Sequence, residues 1–238
     1  MRILSVVSKN YYGLSNAVEP MYLEFTDPLR DMGHHVETFD HHSMRTHFGM
    51  VGCGERFVER VREGHYDVVL YQTGGGEMMM RDAIAEAANW VPIVAWNSDD
   101  DWQWESHTRH LAKHFTFMVT TYPHIYQANK GAHKNLILSQ WGCYDRFADF
   151  HRRTDLDFTF VGLFYGNRAA HCRALRRHAG LRVFGSGSGV VKHSPLYHSR
   201  RLRNLARRIP ALYGRAVDFQ EANSIWNRSK ISFTPMGA

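Results

Sequence analysis

Val94–Glu105 reads V-A-W-N-S-D-D-D-W-Q-W-E: an apolar run fit for one buried strand breaks into three consecutive carboxylates, Asp99, Asp100 and Asp101, fenced by Trp96, Trp102 and Trp104. In an open α/β sheet, ligands sit in the crevice beyond the carboxyl ends of the strands. A polar loop with aromatic walls at that place is therefore a candidate site. The stretch also sets a rhythm of buried strand, functional loop and helix, and the chain on either side repeats it.

Upstream, Arg2–Val7 (R-I-L-S-V-V) predicts a first buried strand, followed by the loop S-K-N-Y-Y-G-L-S-N and a helix to about Met32. The loop holds only Gly13, so the G-x-G-x-x-G dinucleotide fingerprint is absent, and Tyr11, Tyr12 and Gly13 are candidates for lining an acceptor cleft. Gly33 reads as a helix C-cap, and His35–Asp40 (H-V-E-T-F-D) alternates as a second strand. Asp40 is where a dinucleotide fold would bind ribose, although without the glycines it reads first as a strand-end residue.

Glu55–Glu63 predicts a short charged helix and Asp67–Gln72 a third strand running into the glycine turn Thr73–Gly76, which either brings backbone close to a ligand or simply turns. Met78–Trp90 is a helix and Pro92–Trp96 strand four. After the aspartates, His107, His110 and His114 fall on one helix face. That spacing can hold a metal but equally suits an ordinary half-exposed face, and no metal site is expected. Phe117–Thr121 and Leu136–Ser139 complete six strands, whose spacing implies right-handed crossovers and a parallel sheet.

The pattern then restarts. Residues 143–156 are polar and aperiodic, a linker. Asp157–Val161 predicts a strand, Arg168–Ala179 a helix, and Leu181–Phe184 a strand ending in G-S-G-S-G. A basic stretch with helical spacing at Arg201–Leu212, a short strand at Ala216–Asp218, a helix at Gln220–Asn227 and a strand at Lys230–Pro235 follow. The expected organisation is an N-terminal lobe over 1–142, the linker, and a second Rossmann-like lobe over 157–238.

Charge divides the same way. Up to Asp157 there are 15 Lys and Arg against 21 Asp and Glu, and beyond it 14 against 2, so the halves carry about −6 and +12. A field of that sign attracts phosphate, whether on a nucleotide or a nucleic-acid backbone, and it also suits a solvated surface that balances the acidic half. With 44% hydrophobic residues in 238, the chain can bury a core. No window approaches the roughly 20 apolar residues of a membrane helix, and Arg2–Val7 is too short for a signal-peptide core, so a cytoplasmic protein is expected. Cys53, Cys143 and Cys172 lack C-x-x-C spacing and read as ordinary thiols.

Two tandem Rossmann-like lobes, with the motifs R-I-L-S-V-V, G-H-H-V-E-T-F-D, W-N-S-D-D-D-W, F-V-G-L-F-Y-G-N-R, L-R-V-F-G-S-G and S-I-W-N-R-S-K-I-S-F in that order, resemble the CgeB-like (spore maturation protein type) glycosyltransferases of GT-B architecture. The resemblance implies an α/β fold of GT-B type and transfer of a sugar from a nucleotide-diphosphate donor to an acceptor not specified by the sequence. Lobe two would hold the donor and lobe one the acceptor. It implies no resident cofactor, the nucleotide sugar being a co-substrate.

Gly162, Arg168, Gly185, Ser186 and Gly187 are the expected donor-binding residues, with Arg168 neutralising the leaving diphosphate. Any of Asp99, Asp100 and Asp101 can deprotonate the acceptor or support an oxocarbenium-like centre, while Trp96, Trp102 and Trp104 offer faces to sugars. The same acidic run also suits a turn capping the next helix, or the D-x-D motif of metal-dependent single-lobed transferases. Beyond Lys230–Pro235 the acidic, glycine-containing stretch of the family is missing. The second lobe is therefore expected to be incomplete, with a sheet edge for a partner chain or second copy to cover. A non-catalytic nucleotide- or glycan-binding remnant and a nucleic-acid-associated protein are the alternatives.

Overall fold

The computed structural model describes residues 1–10, 18–73, 77, 79–140, 142, 144–149, 153–162, 168–184, 217 and 219–233. They form two compact units, Met1–Tyr144 and Asp145–Ala238.

The first unit runs β1 (Arg2–Val6), α1 (Pro20–Asp31), β2 (His35–Phe39), α2 (His41–Gly64), β3 (Val68–Thr73), α3 (Arg81–Ala87) and β4 (Ile93–Asn97). A helical segment follows: α4 (Asp100–Gln103), a π-helical turn (Trp104–Thr108), α5 (Arg109–Leu111) and a 3-10 turn (Ala112–His114). The unit closes with β5 (Phe117–Thr120), α6 (Pro123–Asn129) and β6 (Leu136–Leu138). The six strands pair in parallel in the order β2-β1-β3-β4-β5-β6. The β1–β2 connection runs one way along the sheet and the β2–β3 connection runs back past β1, so the β1/β3 boundary is a topological switch point.

Both faces of the sheet are covered: Leu4, Val6, Val69, Ile93, Ala95 and Met118 are buried on one face, and Ile3, Val36 and Val119 on the other. The first group joins Phe39, Phe57, Tyr71, Trp104 and Phe115 in one core. Burial of each large side chain there contributes about 1.5–3 kcal/mol, which fixes the positions of the strand ends that carry the site.

Two elements differ from the sequence expectation. The helix expected over Glu55–Glu63 begins at His41, where the Asp40 carboxylate accepts the backbone N–H of Ser43 at 3.0 Å as an N-cap. Asp40 is thus engaged in capping. Helical geometry breaks only at Gly49 (φ +70°), and the polar, histidine-rich composition of 41–50 hid this half of the helix. The helix expected over Met78–Trp90 is confined to α3. It packs so closely on α2 that a Cβ at Gly54 would lie 2.8 Å from the Cβ of Ala83, and only glycine permits that approach.

The second unit contains a 3-10 turn (Asp145–Phe147), β7 (Leu156–Val161), α7 (Arg168–Ala179), β8 (Arg182–Phe184), α8 (Phe219–Arg228) and β9 (Ser229–Ser232). The strands are parallel in the order β8-β7-β9. Phe160, Cys172 and Leu181 form its core, backed by Phe158, Leu175, Val183 and Phe233. Part of the segment read as linker packs onto α8: Asn227 donates Nδ2 to the Phe147 carbonyl at 2.6 Å and accepts the Asp149 N–H at 2.9 Å. Arg228 pairs with Asp155, and Lys230 with Asp157 at 2.7 Å, across the β7 and β9 starts. The helix read at Arg201–Leu212 lies outside the described residues, as does most of the strand read at Ala216–Asp218. Among the described residues no helix is long and apolar enough to cross a membrane.

Candidate active site

β4 delivers the acidic loop to the carboxyl edge of the sheet, in register with the end of β3 (Thr73 opposite Asn97). The three carboxylates then part company. Asp100 is fully buried at the first position of α4; its Oδ1 accepts from the amide Nδ2 of Asn97, which also donates to Thr108 Oγ1 at 2.5 Å. Its Oδ2 is buried and, among the described residues, has no hydrogen-bond partner. Asp101 is exposed and faces His124 Nε2 at 3.4 Å.

Asp99 lies between these extremes, half-buried, with no side-chain cap on α4. Burial, with the neighbouring Asp100 charge adding to it, raises its pKa above the ordinary carboxylate value. Such a group holds its proton more strongly than a surface aspartate. That suits accepting one from a substrate hydroxyl.

Around this loop stand residues that the sequence did not single out. The Tyr122 hydroxyl donates to the Ser98 carbonyl at 3.4 Å, and its pKa is raised by burial and then by the charges of Asp99, Asp101 and Asp100. Asn97 adjoins the loop in sequence, whereas Thr108 from the π-helical turn and Tyr122 and His124 from the start of α6 are brought to the aspartates by folding. The π-helical turn that carries Thr108 is a local distortion of a kind frequent at functional sites.

The three tryptophans separate as sharply. Trp102 is 69% exposed beside the loop. Trp96 is half-buried, with the edge of Phe25 from α1 against it at 5.3 Å. Trp104, expected to offer a ring face to a sugar, is only 2% exposed and packs edge-on to His133 in the core, so it presents no such face.

At the switch point, Ser8 just past β1 shares a hydrogen bond of 3.1 Å with Nε2 of His41. That imidazole is fully buried, and burial, with a smaller effect of His42, lowers its pKa to about 3, so it stays neutral. The expected acceptor residues Tyr11, Tyr12 and Gly13 and the glycines of the Thr73–Gly76 turn lie outside the described residues.

In the second unit, Gly162 ends β7 with φ +159° and its N–H donates to the Phe184 carbonyl at 3.0 Å, while Arg168 opens α7. Both stand on the carboxyl side of the central strand. Gly185, Ser186 and Gly187 lie outside the described residues. Of the three helix-face histidines, His110 is exposed and His107 and His114 are half-buried. Both of the latter lie within electrostatic reach of Glu77, and burial lowers the His114 pKa. Among the described residues no three side chains form a metal-binding cluster.

No family model matches the sequence, and no curated protein matches it. Solved structures do. A glycosyltransferase from Rickettsia africae superimposes over 97% of this chain and 72% of its own at a TM-score of 0.53 and 11% identity. MurG from Acinetobacter baumannii matches over 92% of this chain and 66% of its own at a TM-score of 0.42 and 12% identity. The fold is α/β with Rossmann-like units, of the kind found in GT-B glycosyltransferases.

Proposed function

We propose that, as the resemblance to CgeB-like glycosyltransferases implies, the chain transfers a sugar from a nucleotide-diphosphate donor to an acceptor hydroxyl, with arginine charge in place of a metal ion. The observation that carries this reading is the placement of Asp99. It is a half-exposed carboxyl with a raised pKa, at the carboxyl edge of a parallel sheet whose fold is similar to that of a glycosyltransferase.

In this reading Asp99 takes the proton of the acceptor hydroxyl as that oxygen bonds to the anomeric carbon. The bond from that carbon to the diphosphate oxygen breaks with its electron pair on the leaving group. Arg168 and the N-terminus of α7 neutralise the charge that develops there, and the strongly basic second half of the chain supplies the surrounding field. Gly162, Gly185, Ser186 and Gly187 allow backbone N–H groups to approach the phosphates. Asp100 acts through position, holding the start of α4 by way of Asn97, and Asp101 is the outer member paired with His124. Trp102 and the partly covered Trp96 stack on sugar faces, with Tyr11, Tyr12 and Gly13 on the acceptor side.

Calorimetric titration with uridine, guanosine and thymidine diphosphates, with and without manganese, tests this directly. The expected result is micromolar binding of one of them, unaffected by the metal and lost in Arg168→Ala. Absence of binding to all three would overturn the reading. Tight binding with no sugar transfer on any acceptor would reduce it to recognition without turnover.

A further inference from the structure

On the outer face of the first unit, α2 and α3 enclose an open groove of about 970 Å³. Two properties set it apart from ordinary surface. Three large apolar side chains stand exposed along it, Val51 (60%), Met80 (44%) and Trp90 (60%), and the exposed Phe48 (47%) lies against its lining residue Arg56. A concentration of this kind on one face marks an interaction surface. Its rim is also acidic, since Glu55, Glu59, Glu63, Asp82 and Glu86 line it against only two arginines.

Those arginines do not neutralise the carboxylates. Arg56 places its guanidinium 3.7 Å from the ring centre of Phe48, and Arg62 lies 5.1 Å from that of Trp90. Among the described residues none of the five carboxylates makes an ion pair. Glu55, Glu59 and Glu63 stand at intervals of four on α2, so three like charges share one helix face, an arrangement that repels itself. A cationic helix laid along the groove would relieve that repulsion and cover the apolar floor.

The chain itself presents such a helix. α7 contains no carboxylate, and its exposed Arg173 and Arg177 stand four residues apart, matching the spacing of the α2 glutamates. Among the described residues neither arginine makes an ion pair. We infer that the α2/α3 groove of one copy receives the basic α7 face of a second copy, with Arg173 and Arg177 against Glu55 and Glu59 and a guanidinium available to stack on Trp90. The groove and the helix are different surfaces. The contact therefore joins unlike surfaces of two copies, each groove taking the α7 face of another copy.

Sedimentation velocity of the full chain, from about 1 to about 100 µM at about 30 and about 500 mM salt, tests the inference through the screening of exposed charges. The expected result is concentration-dependent self-association at low salt that reverts to monomer at high salt. Glu55→Arg/Glu59→Arg and Arg173→Glu/Arg177→Glu should each weaken association about tenfold or more. Mixed together, the two variants should associate with each other near wild-type strength, because each groove then meets an α7 face of opposite charge on the other variant. All four side chains are exposed, and circular dichroism would verify that the variants fold. A wild-type chain that stays monomeric at low salt overturns the inference. So does association indifferent to either pair of changes, or a mixture that fails to associate.

Discussion

Asn97, the last residue of β4, donates its amide to the carboxylate of Asp100, three residues further on and wholly buried. The contact ties the end of a strand to the start of a helix, and Asp99 is held between them. Replacing Asn97 by leucine would leave a buried carboxylate without its donor, at a cost of about 3 kcal/mol. Thermal unfolding of Asn97→Leu should show the loss. Asn97→Leu/Asp100→Leu should recover part of it, because the carboxylate is then gone and only the Thr108 hydroxyl is left without the Asn97 amide. If the double variant were no more stable than the single one, the contact would not be the reason for the loss.

Asp99→Asn keeps the shape of the loop and removes the proton acceptor. The expected outcome is a fall in kcat of about 10²–10⁴ with nucleoside diphosphate binding unchanged. In the wild type, the acid limb of kcat/KM should lie above the ordinary aspartate range, in keeping with the direction in which burial and Asp100 move this group. A limb at the ordinary position would assign the base to another residue.

His41 gives the protein a specific acid sensitivity. Its pKa in the folded chain is about 3 against an ordinary 6.5, so between those values the unfolded chain binds a proton that the folded one refuses. Stability is fully present above about pH 6.5 and falls as the pH drops toward 3, by about 2 kcal/mol at pH 5. Urea unfolding at pH 7 and pH 5 should show that difference in the wild type. In His41→Phe it should shrink by about the same amount. A variant with the wild-type pH dependence would remove His41 as its source.

Gly54→Ala places a methyl group 2.8 Å from the Cβ of Ala83, where neither helix has a flexible side chain to yield. Overpacking of this kind costs about 1–3 kcal/mol, set against about 1 kcal/mol of improved helix propensity. A net loss of about 1 kcal/mol should appear as a lower Tm. Gly54→Ala/Ala83→Gly should restore the Tm toward wild type by clearing the same space.

The strands were legible because a parallel strand covered on both faces reads as a near-continuous apolar run: Val68–Tyr71 and Ile93–Trp96 are unbroken, and Ile3–Val7 is interrupted only by the buried Ser5. The first half of α2 was not, because its histidines, serine and threonine carry no apolar periodicity. It is held instead by the Asp40 cap, by burial of His41 and by packing of Met44 against the core. Nor could the sequence show that the end of β4 would gather Tyr122 and His124 from beyond β5.

The W-Q-W run draws the boundary most clearly. Sequence alone determined that strand four ends in three carboxylates among tryptophans, because covalent order places them there. Trp104 lies two positions after Trp102, and about 100° of helical rotation per residue sends the two rings to nearly opposite sides. One had to face inward and the other outward. The tertiary structure decided which, by packing Trp104 against His133 and leaving Trp102 in solvent. The same packing separated the three aspartates, since burial and the reach of Asn97 depend on what the fold sets beside each carboxyl group.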